Sequence, residues 1–224
     1  MLIAIDGTAG SGKGTLSKRL SKKLNLPYLD TGMLYRKVAL ELFNIKKNTS
    51  INFDKQTINQ IKQLIKTINF NELKNNHLIR DDKIGLLASE VGKIKTIREV
   101  LNSKQTQFVI DSVKLNQGCI LDGRDIGTTI LPNADIKFFI TASAEVRAQR
   151  KIQELKRSEI LQPQKQKCIL KEYIFKIKKR DENDFNRLNS PLKKALDAFE
   201  IDTSLLTPKE VEKIAINQIF KKKT

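Results

Sequence analysis

Apolar residues in this chain fall into short unbroken runs, separated by longer stretches in which they recur every three or four positions. The runs are Leu2 to Ile5, Cys119 to Leu121, Ile136 to Ile140 and Phe199 to Ile201, with a shorter one at Tyr28 and Leu29. Runs of this length, bounded by charged or turn-forming residues, read as strands covered on both faces. Helical spacing marks Gly14 to Leu24, Leu34 to Phe43, Ile97 to Phe108, Ala144 to Leu155 and Val211 to Phe220. Strands alternating with helices imply an α/β fold, here a five-stranded parallel sheet flanked by helices. The last helix has a defined start: in "TPKE", Thr207 caps, Pro208 suits the first turn and Glu210 closes a capping box.

Two stretches break the rhythm. Residues 44–96 are rich in Asn and Lys and read as helices joined by linkers; residues 156–170 are polar, with Pro163 and several Gln and Lys. Each is expected to be an insert on one domain spanning residues 1–224, whose core is 1–43, 97–155 and 171–224. Inserts of this kind often move over a site.

Composition narrows the chemistry. A chain of 224 residues buries about 70% of its unfolded surface and needs no disulfide or metal to hold it. Cys119 and Cys168 form no CxxC pair, and His77 is the single histidine, too few ligands for zinc. Reduced thiols and a soluble, cytoplasmic protein are expected, with no basic leader and no apolar run near bilayer length. The net charge of +17 invites a nucleic-acid reading, but 32 of the 42 basic residues are lysine. Much of the excess lies on helical faces such as "EYIFKIKKR" and in the tail "FKKKT". No membrane and no specific nucleic acid are expected as partners.

The first strand runs into "IAIDGTAGSGKGT", residues 3–15. Gly7, Gly12 and Lys13 satisfy G-x-x-x-x-G-K after a strand and before a helix, the context a phosphate loop requires. Glycines let backbone N–H groups wrap a phosphate, the helix start adds its positive end, and Lys13 supplies a point charge. A dinucleotide fingerprint fails because Thr15 stands where its last glycine belongs. The loop, Gly7, Thr8, Ala9, Gly10, Ser11, Gly12, Lys13, Gly14 and Thr15, is therefore expected to hold ATP. Gly14 occupies the usual Ser/Thr position and pushes the hydroxyl to Thr15, the GKGT variant found in nucleoside monophosphate kinases.

Further blocks carry a resemblance to one branch of that family, the bacterial-type cytidylate kinases. They are "LDTGMLYR" (29–36), "LASEVGKIKTIREVL" (87–101), "LDGRDIGTTILPNADIKFFITA" (121–142) and "KKRDENDFNRLNSPL" (178–192). The similarity runs almost end to end, and "DGRDIGT" is its most specific part. Arg36, Arg98, Arg124, Arg180 and Arg187 all lie in these blocks, in a chain that otherwise favours lysine. Arginine's planar fork matches phosphate oxygens in pairs.

The resemblance implies a phosphate-loop kinase core with a nucleoside-monophosphate-binding insert and a short lid, working as a monomer on ATP and CMP or dCMP. It implies roles as well. Lys13, Arg124 and Arg187 would serve transfer. Thr31, Tyr35 and Arg36 would line the acceptor nucleotide, with Arg36 on its phosphate. Ser89, Arg98 and Asp125 would read the base, and Asp184 with Arg180 the ribose. Arg150, with Arg147 and Arg157, would close over ATP. Mg2+ is expected with ATP, and Thr15 and Asp122 are its candidate ligands, partly through water; Asp6 is the other carboxylate that ends a strand near the loop. Residues 53–89 run about a dozen residues shorter than the family pattern. The alternatives are another monophosphate kinase, acting on UMP or AMP, and a nucleic-acid-binding protein regulated by ATP; the latter lacks stacking platforms, with no Trp and three Tyr.

Overall fold

A computed structural model describes residues 1–46, 52–70, 77–116, 118–157 and 166–222. The chain divides into two compact units, Met1–Tyr28 with Gly118–Thr224, and Leu29–Gln117. The second unit begins well before residue 44, because the helix that follows the second strand packs with the insert helices.

The first unit is built on the sheet. Strands β1 (Leu2–Gly7), β3 (Cys119–Gly123), β4 (Ile136–Thr141) and β5 (Phe199–Asp202) join β2 (Tyr28–Asp30), which straddles the boundary, in the order β2-β3-β1-β4-β5. The pairs β1–β3, β1–β4 and β4–β5 are parallel. β1 lies in the middle, which is why five of its six residues are buried and its sequence shows no polar alternation until Asp6. The chain leaves β1 toward β2 and leaves β4 toward β5, in opposite directions. In open parallel sheets that reversal opens a crevice at the carboxyl ends of the strands.

Ile3 and Ile5 of β1 face the main core with Ile120, Ile136, Phe138, Ile140 and Ile201. Over them lie Leu16 and Leu20 of α1 (Lys13–Leu24), one turn apart, and Val211, Ala215, Ile216 and Ile219 of α8 (Pro208–Lys221). Arg19 and Glu212 pair at 2.5 Å across these two helices. The capping box is formed: Thr207 Oγ1 accepts from the Glu210 N–H, and Glu210 accepts from the Thr207 N–H. Helices α6 (Ala144–Arg157) and α7 (Gln166–Asn186) pack on each other. The proposed lid, 156–170, falls largely on residues 158–165, outside the described residues.

Because side chains alternate along a strand, Asp6 faces away from Ile5 and toward the segment after β3. There the chain makes a π-helical turn, Ile126–Ile130, that no local pattern announces. The Asp6 carboxylate holds its start, accepting from the Ile126 N–H at 2.8 Å and the Gly127 N–H at 2.7 Å. Burial pushes the Asp6 pKa from 3.8 up to about 6, against the pull of the two N–H groups and of Lys13, while Asp125 adds to the rise.

The second unit is helical among its described residues apart from the end of β2. It contains α2 (Thr31–Lys46), α3 (Lys55–Thr67), a 3-10 turn (His77–Arg80), α4 (Asp82–Val91) and α5 (Lys95–Asn116). Asp54 and Asp81 cap α3 and α4, each accepting a backbone N–H at 2.7 Å. Leu34, Val38 and Leu42 of α2 are buried, as are Ile61 and Ile65 of α3, Ile84, Leu87 and Val91 of α4, and Ile97 and Leu101 of α5. Phe70 meets Phe108 edge-on, with ring centroids 5.4 Å apart. No helix among the described residues is long and apolar enough to cross a membrane.

Replacing Thr207 by Ala removes one cap and is expected to lower stability by about 1 kcal/mol; thermal unfolding should show a midpoint roughly 2–4 °C lower, and an unchanged midpoint would mean the cap contributes nothing. The raised Asp6 pKa sets a second expectation. Between the unfolded value of 3.8 and the folded value of about 6, the folded state holds the extra proton. Its contribution is fully present below about pH 3.8 and is lost as pH rises through 6. The stability of wild type over Asp6→Asn should therefore shrink by about 3 kcal/mol across that window, as read by urea unfolding at each pH; a gap independent of pH contradicts the raised value.

Candidate active site

The carboxyl ends of β1, β3, β4 and β5 each lead into polar residues that the first unit holds together. After β1, the backbone turns through Gly7, Gly10 and Gly12. Gly7 is required by proximity, because a Cβ there would lie 1.9 Å from the Ile140 carbonyl oxygen of β4. Gly12 is required by conformation: at φ +98° it starts α1 with no side-chain cap and no acidic residue in the first turn. The amides at that helix start are thus left to an anion or water.

Lys13 is buried, and its ammonium donates to the Thr8 carbonyl at 2.8 Å, spanning the loop from within. Ser11 Oγ donates to the same carbonyl at 2.9 Å. Thr8 Oγ1 is buried and has no hydrogen-bond partner among the described residues. Thr15 is exposed on α1. The loop is also held from outside. Thr203, just beyond β5, donates its hydroxyl to the Ser11 carbonyl at 2.8 Å, and Arg150 donates to the Thr203 hydroxyl at 3.0 Å and carbonyl at 2.6 Å. Thr203 carried no signal beyond its place at a strand end, where α/β sites collect.

The segment after β3 supplies Asp122, Arg124 and Asp125. Asp122 is buried and accepts from the Tyr28 hydroxyl at 2.7 Å; a Cβ on Gly14 would stand 3.7 Å from the same carboxylate oxygen, so this carboxylate lies against the start of α1. Arg124 donates Nε to Asp184 at 2.8 Å and Nη1 to the Gly123 carbonyl at 3.1 Å. Arg187 stands 3.7 Å from Asp125 and 4.0 Å from the other oxygen of Asp184, and donates Nε to the Ser190 carbonyl. Burial disfavours the Asp184 charge, yet Arg124, Arg180 and Arg187 together hold its carboxyl below the usual carboxylate range. Arg124 and Asp125 of one segment and Arg180, Asp184 and Arg187 of another, far apart in sequence, thus form one charged cluster. Asp6 has both oxygens committed to backbone N–H groups, which leaves Asp122 as the strand-end carboxylate beside the loop.

Arg147 departs from the sequence reading. It is 5% exposed, and its guanidinium is held by Asp181 at 3.0 and 2.5 Å and by the carbonyls of Ala9 at 3.1 Å and Ala142 at 2.8 Å. A buried fork with that many acceptors is an anchor and has no reach to swing over a nucleotide. Arg150 is likewise turned to Thr203. The Arg157 side chain lies outside the described residues. Asp181 escaped notice because a carboxylate in "KKRDEND" looks like any charge on a solvated helix.

In the second unit, Tyr35 and Arg98 come together: the Arg98 guanidinium lies over the Tyr35 ring, 5.5 Å from its centroid, and donates to the Gly92 carbonyl at 3.3 Å. Arg98 is 4% exposed. Ser89 Oγ donates to the Gly85 carbonyl at 3.1 Å, and Thr31 is buried at the first position of α2. Arg36 donates to the carbonyls of Ile79 at 2.8 Å and Asp81 at 3.1 Å around the 3-10 turn.

Comparison with known proteins places these residues in a wider set. A family model of cytidylate kinases matches residues 3–221. The cytidylate kinase of Fusobacterium nucleatum is 38% identical over 99% of this chain and 96% of its own length. That of Fervidobacterium nodosum is 42% identical over 95% of this chain and 93% of its own, and that of Rickettsia rickettsii 37% identical over 99% and 93%. With a glycine loop closed on Lys13, a cluster of carboxylate-held arginines and similarity along its whole length, the chain belongs to the cytidylate kinase family.

Proposed function

We propose that this enzyme transfers the γ-phosphoryl group of ATP to CMP and dCMP, giving the diphosphates. The observation that carries the reading is the pairing, within one unit, of an uncapped helix start closed on a buried lysine with guanidiniums that carboxylates hold in place. Both reactants are anionic, so the reaction needs positive charge fixed in advance. The acceptor phosphate oxygen is already a nucleophile, and no general base is required. Catalysis is then positioning and charge stabilisation.

The loop amides of residues 7–15 receive the triphosphate, and Lys13 exchanges the Thr8 carbonyl for a phosphate oxygen. Arg124 and Arg187 meet the transferring group; the bonds to Asp184 and to the Gly123 and Ser190 carbonyls set the planes of their guanidiniums. Arg36 takes the acceptor phosphate, with Thr31 and Tyr35 alongside. Ser89, Arg98 and Asp125 take the cytosine edge, where the exocyclic amine seeks acceptors and the carbonyl a donor. Asp184 and Arg180 take the ribose hydroxyls. Thr15 and Asp122 offer the hard oxygen donors that Mg2+ accepts together with water and phosphate oxygens, and the ion when bound neutralises phosphate charge. All these groups lie on one chain, so a monomer suffices, and we take the enzyme to act in the cytoplasm.

A coupled assay of ADP formation tests the reading, with CMP and dCMP expected to turn over faster than UMP or AMP; equal rates on AMP would reject it. Lys13→Ala should lower kcat by about 10²-fold or more with an unchanged circular dichroism spectrum, and near-normal turnover would remove the lysine from the mechanism. Asp125→Asn should cut the CMP-over-UMP preference in kcat/KM about tenfold while the KM for ATP stays within a factor of about two. A change confined to ATP would show that Asp125 does not read the base.

A further inference from the structure

Arg147 donates to five acceptor atoms, and they come from three separate segments. Its Nη1 donates to the Ala9 carbonyl at 3.1 Å, inside the phosphate loop. The same nitrogen and Nη2 grip Asp181 of α7 at 3.0 and 2.5 Å. Nε donates to the carbonyls of Ala142 at 2.8 Å and Ser143 at 3.3 Å, where β4 passes into α6. The stem packs under the loop as well: a Cβ on Gly10 would stand 3.6 to 3.9 Å from Cβ, Cγ and Cδ of Arg147. Loop, strand end and α7 are tied at one point.

Asp181 is the other half of the joint. It stands three residues before Asp184, so the two carboxylates share a face of α7. Asp181 holds Arg147, while Asp184 holds Arg124 at 2.8 Å. α7 also carries Arg180, and Arg187 follows its last residue, Asn186. α7, which carries Arg180, holds Arg124 through Asp184 and ends just before Arg187, is thus docked to the phosphate loop through Arg147.

We propose that the Arg147–Asp181 pair is a positioning couple: it transmits the seating of a triphosphate in the loop to α7, and so sets Arg124, Arg180 and Arg187 for transfer. The proposal rests on the kinase reading above. A triphosphate that draws the amides of residues 8–14 around itself fixes the Ala9 carbonyl. Arg147 can keep both its bonds, to Ala9 and to Asp181, only with α7 in one position. Coupling of this kind needs the rigid bidentate fork, because a lysine ammonium at the same place reaches one acceptor at a time without fixing a plane.

Two variants and one independent measurement test it. In Arg147→Lys and in Asp181→Asn, kcat with CMP should fall about 10- to 100-fold, while ATP affinity, read by fluorescence of a labelled ATP analogue, changes less than threefold. The double variant should be no slower than the slower single one, since both break the same link. A merely structural role would lower the unfolding temperature and leave kcat per folded molecule unchanged, which would overturn the proposal. ATP affinity falling in step with kcat would make Arg147 a nucleotide contact and overturn it also. Amide hydrogen exchange supplies a readout that needs no acceptor substrate and only small amounts of folded variant. A non-hydrolysable ATP analogue should slow exchange along α7 in wild type and fail to do so in Arg147→Lys. If wild-type α7 ignores the analogue, the couple does not exist, even where CMP is turned over; if α7 responds while CMP is not phosphorylated, the couple stands and the kinase reading falls.

Discussion

A guanidinium taken out of water has to be met by acceptors on several sides, and a phosphate-handling protein needs several guanidiniums in one place. In this chain the requirement is met by carboxylates and by carbonyls at strand and helix ends. Asp184 holds Arg124, Asp181 holds Arg147, and Asp125 stands beside Arg187. Arg98 is met by a carbonyl and an aromatic face instead. Breaking any such buried pair leaves a charge without compensation, which is far more damaging than the pair itself is stabilising. The arrangement therefore serves orientation first: it presents positive charge in fixed planes where two polyanions must be brought together.

The sheet makes that density possible. Four strands of the first unit end near one another, and each end contributes something that no single segment could supply. β1 ends in the glycine loop, β3 in Asp122 through Asp125, β4 in the Ala142 and Ser143 carbonyls, and β5 in Thr203. Asp6 ties the first two ends together through the Ile126 and Gly127 amides. The apolar face of the same strands is covered by α1 and α8, so the polar ends rest on a packed and rigid core.

Much of this was legible in one dimension. The strand runs of Ile and Leu, the capping box at Thr207 and the glycine loop before α1 each depend on residues close in sequence, and each formed as read. The blocks that marked the family also contain the arginines of the cluster. The π-helical turn at Ile126–Ile130 was not legible, because its start is fixed by a carboxylate 120 positions away. Thr203 and Asp181 were silent for the same reason: a threonine after a strand and an aspartate on a charged helix look ordinary until their partners are known.

Alternation and spacing along the chain determined the elements, the parallel sheet and the presence of a phosphate loop, since those follow from local periodicity and backbone sterics. Only the tertiary structure decided which arginine meets which carboxylate. Arg147, Arg150 and Arg124 are chemically alike in sequence, yet one anchors the loop, one rests on a threonine and one joins the charged cluster. That assignment depends on distances between segments far apart in the chain, and a linear pattern carries no record of them.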